Sequence, residues 1–236
     1  MVFFIPFIIR DNIFKLKVTN MKGIIIRGLA GFLAMLLFFH SLRQMSSANA
    51  LLLVNTSPIF VPIILYMAYS IRTSSIVVFG VLISFIGVGI VLMPSLSTFD
   101  IFGVLGILAG FFGAVATVLL RTIGKYNTPN QMMFYYFLFG IIFSIIAMAI
   151  EWKSISFNEI SILALVGILG LLFQFSLTYS LYLTKVRIVA PIMLTSILFG
   201  AVMDWINRSY IPHISLLIGS IVVLVGIVLV IYFLND

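Results

Sequence analysis

Eight apolar runs recur along the 236-residue chain, at 24–42, 48–69, 75–93, 101–120, 132–150, 160–183, 188–206 and 214–233. Each is close to the roughly 20 residues an α-helix needs to cross the hydrocarbon of a bilayer. Hydrocarbon offers no water to an unpaired N–H or C=O, so a spanning segment is a helix or part of a closed barrel. These runs are too long and too continuously apolar for barrel strands, which alternate over about 10 residues. The expected fold class is therefore all-α, a polytopic membrane protein with the lipid bilayer as its partner. The connectors are short and hold most of the Pro, Asn and charge, as in Gly124-Lys125-Tyr126-Asn127-Thr128-Pro129, which leaves no soluble domain.

Charge supports this and excludes other classes. Only 8% of residues are charged and 63% are hydrophobic, with a mean hydropathy of +1.31, whereas charged residues approach a quarter of a soluble chain. The net charge of +7 points to no nucleic acid, because Lys and Arg fall in connectors between spans, where the positive-inside bias puts them. Counted on alternate sides, Arg10, Lys15, Lys17, Lys22, Arg27, Arg72, Arg121, Lys125, Lys185 and Arg187 face one way, and Arg43, Lys153 and Arg208 the other. That 10:3 division makes the first side cytoplasmic and leaves the C-terminus there. Cysteine is absent, so thiolate chemistry and Cys-ligated metals are excluded. No cofactor and no metal is called for, and the apolar start at 1–9 lacks the basic region and small-residue cleavage site of a signal peptide.

A shift of 139 residues lays the chain over itself. Gly28 and Gly31 meet Gly167 and Gly170, Gly80 and Gly87 meet Gly219 and Gly226, Ser41-Leu42 meets Ser180-Leu181, and Thr56-Ser57 meets Thr195-Ser196. The basic connector at 10–22 corresponds to the acidic loop around Glu151 and Glu159, so matching loops lie on opposite sides. An odd number of helices per repeat has this effect, and inverted repeats characterise secondary transporters with a substrate site near the midplane. The same shift maps the runs at 101–120 and 132–150 to about −38 to −19 and −7 to 11, of which only 1–9 exists, about 13 Å of helix. The expectation is a ten-helix plan of two five-helix inverted repeats, here eight full helices and a remnant of the second. Residues 1–97 would form the first repeat, without helix one and most of helix two, and 98–236 the complete second.

The stretch Arg27-Gly28-Leu29-Ala30-Gly31 through His40-Ser41-Leu42, with Ala48-Asn49-Ala50 and Thr56-Ser57-Pro58-Ile59-Phe60-Val61, resembles an EamA-type member of the drug/metabolite transporter superfamily. Leu119-Leu120-Arg121, Phe134-Tyr135-Tyr136 and Val189-Ala190-Pro191 resemble that family in order and spacing. The resemblance covers essentially the whole chain. It implies a multi-pass protein of a bacterial inner membrane that moves a small metabolite through a central cavity by alternating access. Two departures stand out: Ile71 and Tyr210 occupy places where family members commonly carry Glu, and Ile197 stands where a counterpart of Pro58 is expected.

Polar residues in a span cost several kcal/mol unless paired or hydrated, so each is a candidate. Asn55, Thr56, Ser57, Thr195 and Ser196 fall in the fourth and ninth family helices, Gln174 and Tyr179 in the eighth; these are the candidate substrate-binding residues. Pro58 and Pro191 are candidate helix breaks, with Pro62 beside the first, since each removes a backbone donor. The rival reading gives each Ser or Thr a bond to its own preceding turn. His40 is the in-span group that changes charge near neutral pH, and so a coupling candidate. Asp204, beside Trp205 and Arg208, reads as an interfacial ion pair. Aromatic faces at Phe38, Phe39, Tyr66, Phe173, Phe175 and Tyr182 could hold a cation, with lipid or core contact as the rival for each.

The expected function is a secondary transporter, an exporter or exchanger of a small organic solute, with a homodimer as a compatible assembly. The alternative is a truncated, non-transporting fragment or a subunit of a membrane complex. A membrane-embedded enzyme finds no HExxH, no pair of intramembrane acids and no nucleophile beside a base.

Overall fold

A computed structural model describes residues 20–70, 74–92, 101–150, 156–183, 193, 196–197, 199–200, 202–206 and 214–233. Among these, all regular structure is helical: α1 (Met21–Ser41), α2 (Ser47–Val54), α3 (Ser57–Tyr69), α4 (Ser75–Leu92), α5 (Ile101–Gly124), α6 (Pro129–Ile150), α7 (Phe157–Leu183) and α8 (Ile214–Phe233). The described residues between 193 and 206 are helical as well. Six stretches are long and apolar enough to cross a membrane: α1, α2 with α3, α5, most of α6, most of α7, and α8; a shorter apolar helix lies at Ser75–Ile90. The chain is an all-α polytopic membrane protein. The remnant at 1–9, nine of the nineteen residues of the run at 188–206, Pro191 and Thr195 lie outside the described residues.

Helix ends depart from the apolar runs where capping chemistry moves them. α1 starts three residues early, with Asn20 at φ 63° and its Oδ1 accepting from Gly23 N at 3.1 Å. Asn tolerates that left-handed backbone better than most residues. α6 starts at Pro129 because Thr128 and Gln131 cap reciprocally: Gln131 N donates to Thr128 Oγ1 (3.3 Å) and Thr128 N to Gln131 Oε1 (3.1 Å). Ser156 and Glu159 repeat the device before α7, with Ser156 N donating to Glu159 Oε2 at 2.7 Å. Both are capping boxes, which satisfy first-turn donors that hydrocarbon would leave bare.

By contact the described residues divide into two units, 20–32 with 119–183 and 33–118 with 193–233. In the first, Gly28 and Gly31 let α1 lie against α6. A Cβ on Gly28 would come within 2.9 Å of Phe139 Cβ, and one on Gly31 within 2.5 Å of the Tyr136 ring. Along this seam Tyr135 stacks on Phe139 and Phe139 on Phe143, with centroids 6.3 and 6.2 Å apart. Met133 and Phe134, buried in α6, meet Phe175 and Tyr179 of α7.

In the second unit α4 packs antiparallel against α8. Val77, Val81 and Val88 share a core with Val223, Ile227 and Val230, and glycines bring the backbones together. A Cβ on Gly80 would come within 2.8 Å of Gly226 O, and one on Gly87 within 2.6 Å of Val223 N and 2.9 Å of Gly219 O. Lipid tails are as apolar as Leu, so helices in a bilayer associate through such close contact rather than through exclusion of water. Ser84 Oγ, at the centre, donates to Gly80 O at 2.9 Å and lies 3.5 Å from Val223 O.

Gly87→Ala is expected to lower the midpoint of thermal unfolding in detergent, by about 1–3 kcal/mol of overpacking. Gly89→Ala, two residues away with nothing among the described residues within 4 Å of its Cβ position, is the control and should leave the midpoint unchanged or raised. Size-exclusion chromatography after stepwise heating reads both.

Candidate functional site

The span Ser47–Tyr69 is broken in the middle. α2 ends at Val54, Asn55 and Thr56 sit at ψ near 0° (2° and −1°), and α3 restarts at Ser57. Two prolines are the cause: Pro58 has no N–H for Val54 O and Pro62 none for Pro58 O, and each ring crowds the carbonyl four residues back. The side chains at the break satisfy the loosened backbone. Asn55 Nδ2 donates to Leu51 O at 2.8 Å and to Ser196 Oγ at 3.0 Å. Thr56 is buried and its hydroxyl donates to Leu53 O in its own turn. It also fills the space beside Gly110, whose Cβ position lies 2.6 Å from Thr56 Oγ1. Ser57 is half-buried at the start of α3.

Asn55 and Ser196, 141 positions apart, are thus brought together. A second link joins the same elements. Asp204 is buried and its Oδ2 accepts from Ala48 N at 3.0 Å, capping the first turn of α2 alongside Ser46 Oγ, which accepts from Asn49 N at 3.2 Å. Arg208, the interfacial partner expected for Asp204, lies outside the described residues.

The other unit holds Gln174 and Tyr179. Gln174 is buried with Nε2 3.4 Å from Thr178 Oγ1, a fully buried hydroxyl on its own helix. Tyr179 donates its hydroxyl proton to Asn130 Oδ1 at 2.8 Å and tilts over Phe175 with centroids 4.6 Å apart. The sequence reading passed over Asn130, whose place at the start of α6 looked like a connector.

Arg27 was also passed over. Counted as a cytoplasmic charge, it lies six residues inside α1 and is 3% exposed. Its Nη1 donates to Met132 O at 3.3 Å, its guanidinium lies 4.8 Å from the Tyr136 ring centroid, and its buried Nε has no hydrogen-bond partner among the described residues. The signal was its position within the apolar run at 24–42. A cation held by a ring face and one carbonyl keeps donors in reserve.

The remaining candidates are dispersed. His40 is half-buried in the last turn of α1, its Nδ1 at 2.8 Å from Leu36 O. Phe39, Tyr66, Phe173 and Tyr182 are exposed on the protein's surface, where lipid contact accounts for them, while Phe175 packs inward.

Arg27→Met should leave thermal stability in detergent unchanged or higher, since an apolar residue of similar volume replaces a buried charge with few bonds. Tyr136→Ala should cost about 3 kcal/mol by opening a cavity against Gly31 and uncovering the guanidinium. The order of the two melting midpoints checks the assignment.

A profile of the EamA-like transporter family matches residues 1–93 and 101–232. The pseudopaline exporter of Pseudomonas aeruginosa is 24% identical over 208 residues, covering 86% of this chain and 72% of that protein. An uncharacterized transporter of Helicobacter pylori is 28% identical over 197 residues, 78% of this chain and 64% of its own length. Solute carrier family 35 member G1 of Homo sapiens is 26% identical over 206 residues, 80% of this chain and 56% of that one. A solved crystal structure superposes with a TM-score of 0.58 at 18% identity, over 87% of this chain and 74% of the other, a likeness of fold. With the family profile spanning almost all of its spans, the chain belongs to the EamA-like transporter family.

Proposed function

We propose that the chain is a secondary transporter that exports or exchanges a small organic metabolite by alternating access, in a bacterial inner membrane with its C-terminus in the cytoplasm. The observation that carries this reading is the α4–α8 contact. Adding 139 to Gly80 and subtracting it from Gly226 turns that pair into Gly219 and Gly87, the other close pair. Ser84 and Val223, in contact between them, are themselves 139 apart. A contact that maps onto itself in this way is what a two-fold axis in the membrane plane produces. It supports two inverted repeats, at 1–97 and 98–236, and with them the architecture in which one repeat rocks against the other.

The broken span supplies the second support. Non-helical backbone at membrane depth is tolerated where it is buried in protein or lines a cavity, and the Asn55–Ser57 break carries three hydrogen-bonding side chains. Asn55, Thr56, Ser57, Thr195 and Ser196 are our candidates for substrate contact at this break, and Gln174 and Tyr179, within their own unit, are the further candidates. The relative named as an exporter supports outward movement.

Proteoliposomes loaded with the soluble metabolite pool of the host cell test this, with mass spectrometry reading what leaves. Export of at least one small solute is expected, reduced about tenfold in Asn55→Ala and in Gln174→Ala, the order of a buried amide's hydrogen bonds. Unchanged export in both variants removes the two residues from the site. A C-terminal fluorescent-protein fusion should be bright and a C-terminal alkaline phosphatase fusion inactive; the reverse overturns the orientation.

A further inference from the structure

Ser196, Gly200 and Asp204 are spaced by four, so they line one face of a helix. Ala48, Leu51 and Asn55 do the same on α2. The two faces meet antiparallel at three levels. Asp204 Oδ2 accepts from Ala48 N at 3.0 Å; a Cβ on Gly200 would come within 2.6 Å of Leu51 Cδ1 and 3.3 Å of Ala48 Cα; Asn55 Nδ2 donates to Ser196 Oγ at 3.0 Å. Asp204 is 3% exposed and stands at a helix N-terminus, where unpaired N–H groups and the helix dipole favour a carboxylate. Eight-residue α2 is thus fastened along its length and ends at the Asn55–Ser57 break.

An inverted repeat would build this seam twice, once toward each side of the membrane. Subtracting 139 from Ser196, Gly200 and Asp204 gives Ser57, Val61 and Leu65. The hydroxyl is kept, but the glycine and the carboxylate are not. In sequence, the glycine and the carboxylate are therefore present only at the positions of the seam on the side of Arg43, the outer side by charge.

We infer that this seam is a latch that holds the outer side closed and biases the resting transporter toward a cytoplasm-facing state, with Asp204 as its positioning residue. The inference rests on the alternating-access reading above. Two closures of equal strength would leave the two states equally populated; bonds made in only one closure shift the balance toward it by their own free energy. A transporter that waits open to the cytoplasm loads there, which suits export.

The chain has no cysteine, so Ser57→Cys at the break provides a single reporter thiol. A membrane-impermeant maleimide is applied to right-side-out and to inside-out vesicles. Faster labelling from the cytoplasmic side is expected. Asp204→Ala should raise labelling from the outside about tenfold and lower it from the inside, the size of one hydrogen bond to a charged group. Asp204→Asn, which keeps an acceptor oxygen, should fall between. Val61→Gly with Leu65→Asp, which copies the latch residues onto their repeat equivalents, should move the balance the same way as Asp204→Ala. Labelling from both faces at rates that Asp204→Ala does not change overturns the latch and leaves alternating access standing. A rise from both faces together marks loosened packing and also overturns it. Access from one face only in every variant overturns both readings.

Discussion

A backbone amide in hydrocarbon has no solvent to fall back on, and the architecture follows from that. Each described span closes its hydrogen bonds largely within itself as a helix. The same demand explains how the chain departs from regularity. Where Pro58 and Pro62 interrupt the ladder, Asn55 and Thr56 direct side-chain donors at Leu51 O and Leu53 O. Where helices begin, the Thr128–Gln131 and Ser156–Glu159 boxes serve the first amides, and Asp204 serves Ala48 from another part of the chain. An interruption survives here only when the residues at it bring hydrogen-bonding groups of their own.

Association of the helices rests on a different term. With no hydrophobic drive between surfaces already dissolved in lipid, contact depends on how closely two backbones approach. Gly80, Gly87 and Gly226 set that distance between α4 and α8, and Gly28 and Gly31 set it between α1 and α6, where aromatic rings fill the seam. Glycine is used differently on α7. Gly167 and Gly170, 139 positions after Gly28 and Gly31, have nothing among the described residues within 4 Å of where a Cβ would stand.

Hydropathy placed the ends of the described helical spans to within four residues, because length and apolarity are what the bilayer selects. The differences at Met21, Gly124 and Pro129 come from capping, which acts through one or two polar side chains and leaves no mark on an average. The break at Asn55 was announced by Pro58 and Pro62, yet its partner Ser196 is a matter of packing between distant segments. Arg27 was misread for the same reason. A basic residue near the end of a run reads as a connector charge until Tyr136, 109 positions on, is seen to cover it. Likewise Asp204 showed that a carboxylate was present in a span, while Ala48 as its donor could come only from the fold.

The fastening of α2 also sets a schedule for its synthesis. Its two polar partners, Ser196 and Asp204, follow Asn55 and Ala48 by 141 and 156 residues. At about 5–20 residues per second of translation, α2 is made roughly seven to thirty seconds before its partners exist. Through that interval its first amides and the amide of Asn55 must be sheltered by water at the interface, by the insertion machinery or by helices already made. The completed seam is then one of the last polar contacts the nascent chain can form, and a chain stopped before Asp204 would leave the first turn of α2 with Ser46 as its cap and the Ala48 amide without its carboxylate.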